Sequence, residues 1–135
     1  MFIYNRLREL TATTTPDSVA LESAFYGKDA KAAAKLEGTR GVIILALKQA
    51  GLPIAHYSPA EVKKAIAGRG QATKEQVQFM IVKMLSLGEI PRPLDASDAL
   101  ALALCHAHRS ASQPPQETRQ ARPEIRALLN RMSNH

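Results

Sequence analysis

The sequence predicts an α/β domain, mostly helical, with helices laid against a small sheet. Two short segments, SVALE (18–22) and PIAHYS (53–58), read as strands. The long stretches around them carry apolar residues at helical spacing. The resulting order of helix, strand, helix, strand and then helices is that of helices packed on a sheet. Two strands make a thin sheet, so either further strands come from elsewhere or the domain is incomplete.

Residues 2–12 place Ile3, Leu7 and Leu10 on one helical face, and this helix starts without an N-cap residue. Thr13 to Asp17, TTTPD, reads as a turn. In SVALE, Val19 and Leu21 alternate with Ala20 and Glu22, so the strand ends on a carboxylate. Residues 29–50 are an Ala-rich helix interrupted by Gly38 and Gly41, each costing roughly 1 kcal/mol relative to Ala. Small residues there permit close helix packing, including across a dimer. Gly51 ends that helix and Pro53 follows.

Ser58-Pro59-Ala60-Glu61 has capping-box spacing with Pro at the first helical position, which predicts a helix over 59–67. GRGQAT (68–73) is a loop, and Thr73 caps a helix reaching to about residue 86. GEIPRPL (88–94) connects to the apolar helix DASDALALALCHAH (95–108), expected to be buried. Beyond Arg109 the composition turns to Ser, Gln, Pro and Arg. Residues 110–121 read as a linker and 122–133 as a weak basic helix.

The totals set bounds on function. The 135 residues suit one domain, and 45% hydrophobic residues exclude a disordered chain. With 4% aromatics and no Trp, the core rests on Ala, Leu, Ile and Val. A net charge of +6 favours a polyanionic partner such as nucleic acid, against the alternative of an ordinary basic protein. The lone Cys105 excludes an internal disulfide, and no segment has the length of a membrane span. A soluble, cytoplasmic protein without a membrane role is expected. No Ser–His–Asp pattern stands out for nucleophilic catalysis.

Asp95 and Asp98 lie three apart at a helix start, with Cβ atoms roughly 5–6 Å from each other. Their repulsion is relieved by a hard divalent cation such as Mg²⁺. The competing explanation is a plain N-cap with a second carboxylate favoured by the helix dipole. Glu22, at a strand end where α/β sheets place their sites, adds a third carboxylate. Lys63, Lys64, Arg69 and Lys74 fall within twelve residues with no acidic residue between them, and Gly68 and Gly70 flank Arg69. The cluster suits a phosphate backbone or is a solvated face. Phe25 and Tyr26 follow Glu22, either stacking on a base or anchoring a loop. His56, His106 and His108 have no evident partners and read as structural or incidental.

VALESAFYGKDAKAAAKLEGTRG, YSPAEVKKAIAGRGQATKEQVQFM and DASDALALALCHAHR resemble the RuvC family of Holliday-junction resolvases, the crossover junction endodeoxyribonucleases, over about residue 3 to Arg109. The resemblance implies a ribonuclease-H-like fold and a homodimer that resolves four-way junction DNA in recombination and repair. It also implies the RuvA and RuvB branch-migration proteins as partners. Two Mg²⁺ ions are implied, one activating water and the other stabilising the leaving 3′ oxygen. Residue by residue, Glu22, Asp95 and Asp98 match metal-binding catalytic positions, Phe25 an aromatic that engages a junction base, and Lys63 and Lys74 basic residues that approach DNA.

Two departures stand out. The family opens with three strands and a GIDPG-type Asp block that has no counterpart here, and Glu37 stands where the family often has Gly. The expectation is therefore an N-terminally truncated nuclease domain over 1–109 that lacks its first strands, followed by a linker and basic tail over 110–135. A misassigned start, a fragment and a degenerate copy all fit, and the chain by itself is expected to cut weakly or not at all. The alternatives are a non-catalytic junction-binding or dimerisation remnant and a product that does not fold, its open sheet edge favouring aggregation.

Overall fold

The structure is a computed structural model and describes residues 1–23 and 30–112. Its elements are α1 (Phe2–Thr14), β1 (Val19–Glu22), α2 (Ala30–Gln49), β2 (Ile54–Tyr57), α3 (Pro59–Ala67), α4 (Lys74–Met84) and α5 (Leu94–Ser112). Both strands and all five helices match the elements read from the sequence. The TTTPD turn starts later than expected because α1 runs to Thr14, and α5 extends four residues past His108 to Ser112. Phe25, Tyr26 and the tail from residue 113 lie outside the described residues.

Among the described residues the sheet has two strands. β1 and β2 pair in parallel, Val19 opposite Ile54 and Glu22 opposite Tyr57. A parallel pair needs a long crossover, and α2 supplies it. The pairing extends at both ends, where the Val19 amide donates to the Pro53 carbonyl and the Ser23 amide to the Tyr57 carbonyl.

Local chemistry sets several of the helix ends. The Ser58 amide donates to Glu61 Oε2 at 2.8 Å while the Glu61 amide donates to Ser58 Oγ at 3.2 Å, closing the expected capping box. Thr73 and Gln76 repeat the arrangement at α4, at 3.0 and 3.2 Å. α2 ends in a Schellman motif: Leu52 N–H donates to the Leu47 carbonyl and Gly51 N–H to that of Lys48, with Gly51 at φ 74°.

The core lies where α3, α4 and α5 meet under the sheet. Tyr57, Val62, Ile66, Ala72, Val77, Ile81, Ala101 and Cys105 form one buried cluster, with Ile81 fully enclosed. Only Ser97, Ala101 and Cys105 of α5 are buried, so this helix shows one apolar face rather than the all-round burial expected of it. α1 packs on α2, and its apolar residues remain largely open, Leu10 at 51% exposure and Ile3 at 41%.

Candidate active site

β1 carries Glu22 out at its carboxyl end, the end at which open α/β sheets place their ligands. Val19, Ala20 and Leu21 are half-buried and Glu22 is exposed at the strand end. The Glu22 backbone is held by Arg40 of α2, whose Nη1 donates to the Glu22 carbonyl at 2.5 Å while Nη2 donates to His56 Nδ1 at 3.0 Å. Arginine stays charged, so His56 Nδ1 is the acceptor in this contact.

Asp98 faces the same region from the second turn of α5. Glu22 and Asp98 both line a cavity of about 480 Å³, together with Lys63 of α3 and Lys74 of α4. Its walls are apolar, from Leu21, Val62, Val77 and Leu102. Lys74 Nζ lies 3.2 Å from Asp98 Oδ2, with the two side chains 50% and 54% exposed. A second hollow of about 590 Å³ opens between α1 and the end of α2, lined by Tyr4, Arg8 and Gln49, with no carboxylate among the described residues that border it.

The structure thus brings together four of the residues singled out from the sequence, Glu22, Asp98, Lys63 and Lys74. Asp95 does not line the cavity. It sits in the first turn of α5, which already begins at Leu94, so it is not the N-cap residue either. Among the described residues no group of three or more His, Cys, Asp or Glu stands close enough to hold a metal ion, and the convergence of all three carboxylates is not seen. Lys64 and Arg69 are exposed and lie outside the cavity lining. Gly68 takes φ 81° as the cap of α3, and a Cβ on Gly70 would meet the Ala60 carbonyl oxygen at an ordinary contact distance of 3.4 Å.

Two carboxylates fit one hard cation, since Mg²⁺ typically keeps several waters and takes one or two carboxylates with substrate phosphates completing its shell. A second ion would need more oxygen donors than the described side chains around the cavity supply.

His56 and His106 correct the expectation that they lack partners. His106 Nε2 lies 2.8 Å from Ser18 Oγ and Nδ1 lies 2.7 Å from Tyr57 Oη, with the Tyr57 and His106 rings meeting edge-on. Arg109 stacks over the Tyr57 ring at 5.5 Å and its Nη1 donates to Glu61 Oε1 at 3.2 Å. Hydrogen bonds from the Ser58 amide and side chain, aided by Arg109, hold the Glu61 carboxyl below its ordinary value. Burial pushes the Tyr57 hydroxyl and the Cys105 thiol up. None of these groups lines the cavity, and the contacts of His106 with Ser18 and Tyr57 tie the sheet to α5.

A family model described as crossover junction endodeoxyribonuclease RuvC matches residues 1–106. The crossover junction endodeoxyribonuclease RuvC of Syntrophomonas wolfei is 46% identical over 106 residues, 78% of this chain and 62% of that protein. That of Moorella thermoacetica is 50% identical over 105 residues, 78% of this chain and 63% of that one. The chain therefore spans about six-tenths of the length of the curated relatives it matches. Thermus thermophilus RuvC superimposes with a TM-score of 0.74 at 38% identity, covering 81% of this chain and 66% of that one. The same protein in complex with a Holliday junction substrate gives 0.76 at 39% identity, covering 80% and 66%. With matching sequence blocks, matching fold and a family model that spans most of its length, this chain belongs to the RuvC family.

Proposed function

We propose that the chain acts on four-way junction DNA as a crossover junction endodeoxyribonuclease, by metal-dependent phosphodiester hydrolysis. The observation that carries this reading is the shared cavity at the carboxyl end of β1, where Glu22 and Asp98 face Lys63 and Lys74. Its mixed charge suits a phosphodiester, with carboxylates for a hard cation and ammonium groups for phosphate oxygens.

In this reading Glu22 and Asp98 hold a divalent cation, Mg²⁺ being the natural hard ion, and Asp95 one turn away completes the acidic set. A bound Mg²⁺ lowers the pKa of its water and offsets charge on the leaving oxygen. Lys63 and Lys74 orient the backbone, Lys64 and Arg69 extend the basic surface along α3 and its loop, and Phe25 engages a junction base. The apolar walls of the cavity favour the charge interactions made by the residues that line it, Glu22, Asp98, Lys63 and Lys74. A homodimer is supported by α2, where Val42 and Leu45 are 38% and 52% exposed and the Gly38 and Gly41 positions are unobstructed. The RuvA and RuvB branch-migration proteins are the further partners that the family implies.

The purified chain is tested on a synthetic four-way junction by gel shift and by cleavage with Mg²⁺. Binding is expected in preference to linear duplex, and Lys63→Ala should weaken it roughly threefold to tenfold. Cutting by this chain alone is expected to be weak, because two carboxylates at the cavity are part of a two-ion donor set, and Asp98→Asn should abolish it. Binding no tighter than to linear duplex would sink the reading. A second reading, junction binding without cutting, is favoured by the absence of a three-residue metal cluster among the described residues. Binding that persists in EDTA with no product at any Mg²⁺ concentration selects it.

A further inference from the structure

Lys74 is placed where helix stability does not want it. It is the first residue of α4, directly after the Thr73 cap, where the helix dipole disfavours a cation. Its Nζ instead reaches across to α5 and sits 3.2 Å from Asp98 Oδ2. Both groups line the cavity, and Lys63, its other cation, makes no ion pair with any described residue. An oxygen held by an ammonium group at this distance is not free to a second cation at full strength.

We infer that Lys74 is an internal competitor for the Asp98 carboxylate, which a divalent cation must displace in order to bind there. The inference rests on the reading of Asp98 as a cation-binding residue. Displaced from Asp98, the Lys74 ammonium remains inside the cavity beside Lys63, where a phosphate oxygen of the substrate is the available anion. Cation binding and phosphate binding are thereby coupled. The cation frees Lys74 for the backbone, and the backbone, by taking Lys74, frees Asp98 for the cation. Since the pair is about half exposed, the competition is modest in size.

The test is a Mn²⁺ titration of the whole 135-residue chain without DNA, followed by electron paramagnetic resonance. Far-UV circular dichroism checks that each variant keeps its helices. Lys74→Met and Lys74→Gln should each tighten Mn²⁺ binding roughly threefold to tenfold, by removing both the competitor and its charge. Lys74→Arg, which keeps the charge, should stay within about twofold of the parent. In an Asp98→Asn background the Lys74→Gln replacement should change affinity by less than about twofold, as expected when the two act through one contact. If Asp98→Asn weakens Mn²⁺ binding but both neutral replacements leave it unchanged or weaker, the inference falls and the reading of Asp98 stands. If Asp98→Asn has no effect, the reading of Asp98 falls and the inference with it.

Discussion

Glu61 does three things with one carboxylate. It closes the capping box on α3, draws Arg109 of α5 to within 3.2 Å, and through Arg109 sets a cation over the Tyr57 ring at 5.5 Å. Its hydrogen bonds hold the folded carboxyl below its ordinary value of 4.5. As acid is added, the unfolded chain therefore takes up this proton first. The contribution is fully present above the ordinary carboxylate range and is lost as pH falls through the folded value. Glu61→Gln keeps the capping geometry, as Gln76 does in α4, but loses the charge on Arg109. The variant should melt below the parent at pH 7, and the gap should close as pH falls below the ordinary carboxylate range through the folded value, read by thermal melts across acid pH. A gap that persists in acid would show that Glu61 acts through packing rather than charge. The same neighbourhood shows what sequence reading misses. His106 takes its partners from Ser18 and Tyr57, 88 and 49 positions away, and no local pattern announces them. The capping boxes were readable because both partners lie within four residues.

At the scale of the element, the two helix ends that use a Schellman motif differ in one residue. α2 uses Gly51 at φ 74°, whereas α4 uses Ser86 at φ 52°, with Leu87 N–H donating to the Val82 carbonyl at 2.9 Å. A side chain in the left-handed region costs roughly 1–2 kcal/mol, part of which is offset by the greater entropy that glycine loses on folding. Ser86→Gly should therefore stabilise the chain by roughly 0.5–1 kcal/mol, measured by urea unfolding. A loss of stability would mean that the Ser86 side chain makes a contact worth more than the backbone strain. The elements themselves were legible because their start and stop signals are local: Gly51 and Pro53, Ser58 with Glu61, and Thr73 with Gln76. The candidate site was legible only in part. Asp95 and Asp98 share a helix face at this spacing, yet which of the two reaches the cavity depends on how α5 enters the core through Ser97 and Ala101, and that is a tertiary matter.

Taken whole, the molecule separates its packing from its charge. The core closes between α3, α4 and α5, while Lys63, Lys64, Arg69 and Lys74 all issue from α3, the loop after it and the start of α4, and Lys63 and Lys74 line the cavity. The net charge of +6 over 135 residues makes salt-sensitive binding to DNA expected of the whole surface. The useful distinction is therefore between cations that contact phosphate and those that only contribute to the general field. Contacting residues release a counterion each, so removing one lowers the slope of log affinity against log salt by about 0.9 on duplex arms. Lys63 is half-buried in the cavity wall with its ammonium unpaired among the described residues, and Lys63→Ala should reduce the slope by that amount. Arg6 is on α1, pairs with Glu9 at 2.7 Å and does not line the cavity, so Arg6→Ala should leave the slope unchanged within error. Affinity for a four-way junction measured from about 50 to 200 mM KCl decides between them. Equal slopes for Lys63→Ala and Arg6→Ala would place the DNA somewhere other than the carboxyl end of β1, and with it the chemistry.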